Sequence, residues 1–219
     1  MTASENSVQS GQPLLVGVTG GLGSGKSSVC RMFRDMGCAV FEADRVAKEL
    51  QVSDDDVVNG IRTMFGEDIY RHDERGRLQI DRRRIAERAF SDPEVLRKLN
   101  DLIHPEVFKA FRGAVRDAKK KGVSILIKEA AILFESGGSK GLDVVIVVAA
   151  DREKRIERAL AKGMGSREDI QRRIEAQWPQ KKLEALADYV IENNGTLSEL
   201  EKSVKDVYRK LITAQNHDC

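Results

Sequence analysis

A run of eight residues, Gly20-Gly21-Leu22-Gly23-Ser24-Gly25-Lys26-Ser27, limits what this chain can fold into more than anything else in its sequence. It matches in full the pattern of glycine, any four residues, then glycine, lysine and serine or threonine. The preceding Leu14-Leu15-Val16-Gly17-Val18-Thr19 is short, apolar and β-branched, as a buried parallel strand should be. After it, Ser28 to Met36 carries helical spacing, with Val29, Met32 and Phe33 on one side. A strand, a glycine turn and a helix start therefore coincide. Glycines at 20, 21, 23 and 25 open backbone dihedrals closed to other residues, so that successive N–H groups converge on an anion with the positive end of the helix behind them. The expected contacts of a nucleoside triphosphate run through Gly21, Leu22, Gly23, Ser24, Gly25, Lys26, Ser27 and Ser28. Lys26 would reach the β- and γ-phosphates and the Ser27 hydroxyl would ligate Mg2+.

Four further segments read as strands: Ala39 to Glu42, Ser124 to Lys128, Val144 to Ala149 and Tyr189 to Ile191. Each is apolar and rich in branched residues, with helical patterns between them, which predicts a five-stranded parallel sheet in a three-layer α/β/α sandwich. About eighty residues separate the second strand from the third, too many for a simple crossover. They are mostly helical in pattern, with Asp92-Pro93 and His104-Pro105 as expected helix starts. This predicts an inserted helical domain over the strand ends, where ligands of open α/β sheets collect. The highly charged stretch Asp151 to Gln177, interrupted by Gly163 and Gly165, reads as a mobile lid. The expected organisation is a flexible N-terminus at 1–13, a nucleotide-binding core at 14–56, 123–150 and 179–219, an acceptor domain at 57–122 and a lid at 151–178.

Lysine and arginine total 37 against 35 acidic residues, interspersed along the chain, so charge does not point to nucleic acid as a partner. No segment approaches the roughly 18 apolar residues of a membrane span. Cys30, Cys38 and Cys219 are odd in number and lack CxxC spacing, which predicts reduced thiols and a cytoplasmic protein. The expected assembly is a monomer or a weak homo-oligomer.

Two carboxylates fall at strand ends beside the loop. Asp44, after Phe41-Glu42-Ala43, could accept a hydrogen bond from an attacking hydroxyl and aim it at a γ-phosphate; it could equally cap the helix that starts at Arg45. Glu129, closing Ile125-Leu126-Ile127-Lys128, could hold magnesium through water, or be solvated or paired.

The order GVTGGLGSGKSSV, EADRVAKEL, IDRRRIAERAF, LIHPEV, AILFESG, RIEAQ and ADYVIENNG, across roughly residues 14 to 210, resembles that of the dephospho-CoA kinases. The resemblance implies transfer of the γ-phosphate of ATP to the ribose 3′-hydroxyl of dephospho-CoA, with Mg2+, on a phosphate-loop core carrying a helical acceptor domain and a lid. It makes Lys26 and Asp44 the catalytic pair, with Asp44 facing the acceptor hydroxyl. It places Arg82 and His104 in the acceptor domain, and Leu133 and Phe134 along the pantetheine channel. Arg158, Lys162 and Arg173 match basic lid positions, and Asn193 and Gly195 the adenine loop. Two departures stand out: Glu42 and Glu129 both occupy positions where the family carries aspartate, and Ala131 replaces a usual proline. One extra methylene displaces each carboxylate. A kinase of another nucleoside or nucleotide would share the donor site, so the acceptor motifs alone separate the two. The absence of an Asn-Lys-x-Asp signature argues against a GTP-driven switch.

Overall fold

A computed structural model of the 219-residue chain describes residues 11–217. Residues 1–10 of the expected flexible N-terminus, and Cys219, lie outside the described residues. The first half of the chain forms β1 (Leu14–Thr19), α1 (Lys26–Asp35), β2 (Ala39–Glu42), α2 (Ala43–Ser53), α3 (Asp55–Phe65), β3 (Tyr70–His72), β4 (Leu78–Ile80), α4 (Arg82–Ser91) and α5 (Pro93–Lys120). Then come β5 (Ile125–Glu129), β6 (Val144–Ala149), α6 (Arg152–Ala161), α7 (Arg167–Glu175), α8 (Gln180–Glu184), β7 (Tyr189–Glu192) and α9 (Leu197–His217). By contact the chain divides into two compact units. One runs to Phe41 and resumes at Ala114; the other is Glu42–Gly113.

The first unit carries a five-stranded parallel sheet in the order β2-β5-β1-β6-β7, the fold class the apolar runs predict. Its strands are apolar on both faces because both are covered. Alternate side chains Val16, Val18, Ile125, Ile127, Ile146, Val148 and Ile191 face one cluster, which Val29, Cys30 and Phe33 of α1 and Leu200, Val204 and Leu211 of α9 complete. The other face carries α8 against β6, with Leu183 only 2% exposed. Parallel registry sets Val18 of β1 opposite Glu129 of β5, so β5 delivers its terminal carboxylate to the strand that feeds the phosphate loop. No helix among the described residues is long and apolar enough to cross a membrane.

In the second unit α2, read from the sequence as part of the nucleotide-binding core, packs on α3 and β4. Asp54 caps α3 by accepting from Val57 N–H at 3.1 Å, and Asp81 caps α4 by accepting from Arg84 N–H at 3.2 Å. The inserted stretch is mostly helical, as its pattern predicts, with one addition and one correction. The addition is an antiparallel hairpin, with Tyr70 opposite Ile80 and His72 opposite Leu78. Its turn is made by Asp73, whose Oδ1 accepts from Arg75 and Arg77 N–H, both at 2.9 Å. And His104-Pro105 starts no helix: Pro105 lies inside the 28-residue α5. An internal proline forfeits one hydrogen bond and costs ~3 kcal/mol. Burial of Leu99, Ile103, Val107 and Phe111 along one side of α5 offsets that cost and carries the helix through.

Candidate active site

The phosphate loop is held by side chains from the far end of the chain. Leu22 N–H donates to Gln177 Oε1 at 2.8 Å, Leu22 O accepts from Arg155 Nε at 2.9 Å, and Ser24 O accepts from Asn193 Nδ2 at 2.8 Å. Leu22 itself packs into an apolar cluster of Ile156, Ala159 and Ile170, so α6 and α7 are anchored on the loop. The loop delivers the chain into α1 through Gly25, whose φ of 100° is open to glycine and strained for other residues. No side chain caps α1 and no acidic residue sits in its first turn. Its first N–H groups and the positive end of its dipole are thus kept for an anion. Lys26 Nζ donates to Gly20 O at 2.7 Å, which folds the cation over the same loop.

Ser27 Oγ donates to Glu129 Oε1 at 3.0 Å. Two neighbouring oxygens of an octahedral Mg2+ ion with ligands at 2.0–2.1 Å lie about 2.9 Å apart, so this hydroxyl–carboxylate pair fits magnesium in both spacing and hardness. The longer glutamate reaches the serine without difficulty. Among the described residues no group of three or more His, Cys, Asp or Glu side chains could hold a metal, which leaves phosphate oxygens and water to complete such a shell. Beside the pair, burial first and the Glu129 charge second push the Cys30 thiol well above its ordinary range, so it stays neutral.

Arg158 Nη2 donates to Asn193 O at 2.9 Å, and Nη1 is buried with no partner. Arg173 is exposed and donates from Nη1 to Met164 O at 3.0 Å. Asn193 is 7% exposed and its amide is committed to Ser24 and Arg158, so its side chain braces the loop. Gly195 precedes α9, where a Cβ would meet the Glu199 carboxylate that accepts from Thr196 N–H. Leu133 is corrected too: fully buried against Gly17, it is a core side chain and lines no channel. Half-buried Phe134 beside it keeps an open face. The turn that carries both is fastened by Lys128, whose Nζ donates to Gly138 O at 2.9 Å and whose pKa burial lowers to about 8.

In the second unit, Asp44 is exposed in the first turn of α2. Glu42 is the N-cap, so Asp44 is not the capping residue that the sequence left open. Arg82 donates from Nη2 to Lys48 O at 2.9 Å, at the rim of a 250 Å³ hollow lined by Gln51, Ile85, Ala89 and Leu99. Tyr70 O–H donates to Gln51 O at 2.7 Å, and burial pushes its pKa to about 12. Half-buried His104 meets Phe108 edge to face, with ring centroids 6.4 Å apart.

A family model described as Dephospho-CoA kinase matches residues 14–199. This chain belongs to the dephospho-CoA kinase family. Its relatives include the dephospho-CoA kinase of Chlorobium chlorochromatii, 56% identical over 94% of this chain and 97% of that one. That of Chlorobaculum tepidum is 55% identical over 92% and 96%. Among solved structures, TT1252 from Thermus thermophilus superposes with a TM-score of 0.77 at 32% identity, covering 92% of this chain and 99% of that one. Dephospho-CoA kinase from Campylobacter jejuni shares the fold with a TM-score of 0.66 at 20% identity, over 91% and 97%. Within this family member two loop contacts, Arg155 and Gln177, escaped the reading of the sequence. The spacing of Arg155 three residues before Arg158 put both on one face of a helix and was the available signal.

Proposed function

We propose that the chain transfers the γ-phosphoryl group of ATP to the 3′-hydroxyl of the ribose of dephospho-CoA, giving coenzyme A, the last step of its synthesis. Family membership over residues 14–199 carries this reading, and the uncapped start of α1 behind an intact phosphate loop supports it. Phosphoryl transfer asks the protein for alignment and for charge at the transferring group. The N–H groups at the start of α1 and the ammonium of Lys26 serve the phosphates. Ser27 and Glu129 would hold Mg2+, which when bound neutralises charge on the β- and γ-phosphates. Asp44 accepts the proton of the acceptor hydroxyl and orients it. The 250 Å³ hollow, apolar within and carrying Lys48 and Arg82 at its edge, suits an acceptor with an apolar arm and a pyrophosphate; Arg82 pairs with the latter. His104 and Phe134 border the acceptor. The segment 151–178 acts as the lid, presenting Arg158 and Arg173 to ATP, while Asn193 and Gly195 shape the adenine side. The work is cytoplasmic, where ATP is held.

In an assay with ATP, Mg2+ and a panel of acceptors, dephospho-CoA is expected to be phosphorylated and adenosine or nucleoside monophosphates to be poor substrates. Efficient phosphorylation of the latter, with dephospho-CoA inert, overturns the reading. Glu129→Gln should raise the Mg2+ concentration for half-maximal turnover about ten- to a hundredfold in a magnesium titration. An unchanged midpoint would remove Glu129 from the metal site.

A further inference from the structure

Arg155 is 6% exposed, on the face of α6 that meets the phosphate loop. Its guanidinium fills the space above Gly21, where a Cβ would fall 2.0 Å from Nη2, and its backbone O lies 2.1 Å from the place of a Cβ on Gly23. Gly21 is thus required for close approach, whereas Gly23, at φ 76°, also needs the left-handed backbone. Nε reaches Leu22 O at 2.9 Å, and among the described residues no carboxylate pairs with this cation. Burial, and after it the charge of Arg152, lowers its pKa; yet an arginine remains protonated in a protein. A buried charge without a counter-ion is unfavourable. Three buried polar atoms close by lack partners: Thr19 Oγ1 at the end of β1, Ser24 Oγ in the loop and Arg158 Nη1 on α6. Buried polar groups are nearly always satisfied, so three unpartnered donors and a buried cation without a counter-ion on one strand–loop–helix assembly point to a polyanionic ligand.

We propose that Arg155 is a positioning residue for the nucleotide: its buried guanidinium takes its counter-charge from the triphosphate and, through Leu22 O, fixes the apex of the loop around it. The proposal rests on the reading above only in taking a nucleoside triphosphate as the ligand. A purely structural arginine would matter equally with and without phosphates. One that awaits a counter-charge makes the ligand-free protein no more stable, and its contribution grows with the number of phosphates bound.

The test is calorimetric titration of AMP, ADP and ATP into the full chain and its R155Q and R155K variants, with thermal unfolding of each in the absence of ligand. R155Q retains a donor for Leu22 O and removes the charge. It is expected to melt at or above the parent and to bind ATP about tenfold more weakly, ADP less affected and AMP within about twofold. R155K, which keeps the charge, is expected to hold ATP within about threefold of the parent. Three results overturn the proposal: R155Q binding ATP like the parent, equal losses for AMP, ADP and ATP, or an unfolded R155Q beside a folded R155K. Because no acceptor is present, failure of the dephospho-CoA reading leaves these affinities unchanged and the two claims separable.

Discussion

Asp44→Asn is expected to keep ATP affinity and thermal stability while losing about two to four decades of turnover. The fold explains why stability should survive. Glu42, not Asp44, occupies the N-cap of α2, and Asp44 is exposed in the first helical turn. What the substitution forfeits there is a charge near the helix N-terminus, worth about 0.3 to 1 kcal/mol at an exposed site. Asparagine preserves the shape and removes the base, so an intact fold with collapsed turnover assigns the loss to proton acceptance and orientation of the acceptor hydroxyl. Steady-state kinetics beside nucleotide titration reads both halves. Near-normal turnover would remove Asp44 from the handling of the acceptor proton.

Lys26→Ala should fail differently. Its ammonium reaches back to Gly20 O at 2.7 Å, over the loop proposed to take the phosphates. A cation there stabilises bound phosphate and, more strongly, the charge that develops during transfer. Both binding and turnover should suffer: ATP weakens, and turnover falls by about two to three decades, the loss seen when one transition-state donor is removed. In kinetic terms, Asp44→Asn lowers kcat with little change in the KM for ATP, whereas Lys26→Ala lowers kcat and raises that KM. A lysine variant with an unaltered KM for ATP would contradict its placement on the phosphates.

The phosphate loop was legible because everything that makes it is contiguous: an apolar strand, glycines at the turn and an amphipathic helix follow within one short stretch of chain. The sheet was legible for a related reason, since strands covered on both faces must be apolar along their whole length, as Val144–Ala149 is. What the sequence hid depends on distant partners. Leu133 reads as a channel wall until Gly17 is seen to leave room for it in the core. The bracing of the loop by Asn193 shows only when Ser24 and Arg158 are found on its amide. Pro105 reads as a helix start because local sterics say so, and the apolar side of α5 overrides them. Three-residue strands such as Tyr70–His72 are too short to show a period of two. Arg155 sits in a helix dense with charge, where its spacing from Arg158 gives the shared face but not the partner, Leu22 O, that draws it inward.

The function turns on where one phosphate ends up. After incubation of the chain with ATP, Mg2+ and dephospho-CoA, fragmentation mass spectrometry and phosphorus NMR of the product locate the added group. A single new phosphate ester on the ribose 3′-hydroxyl is expected, formed one for one with ADP. Phosphate on any other atom, or ATP hydrolysed with dephospho-CoA unaltered, would contradict it.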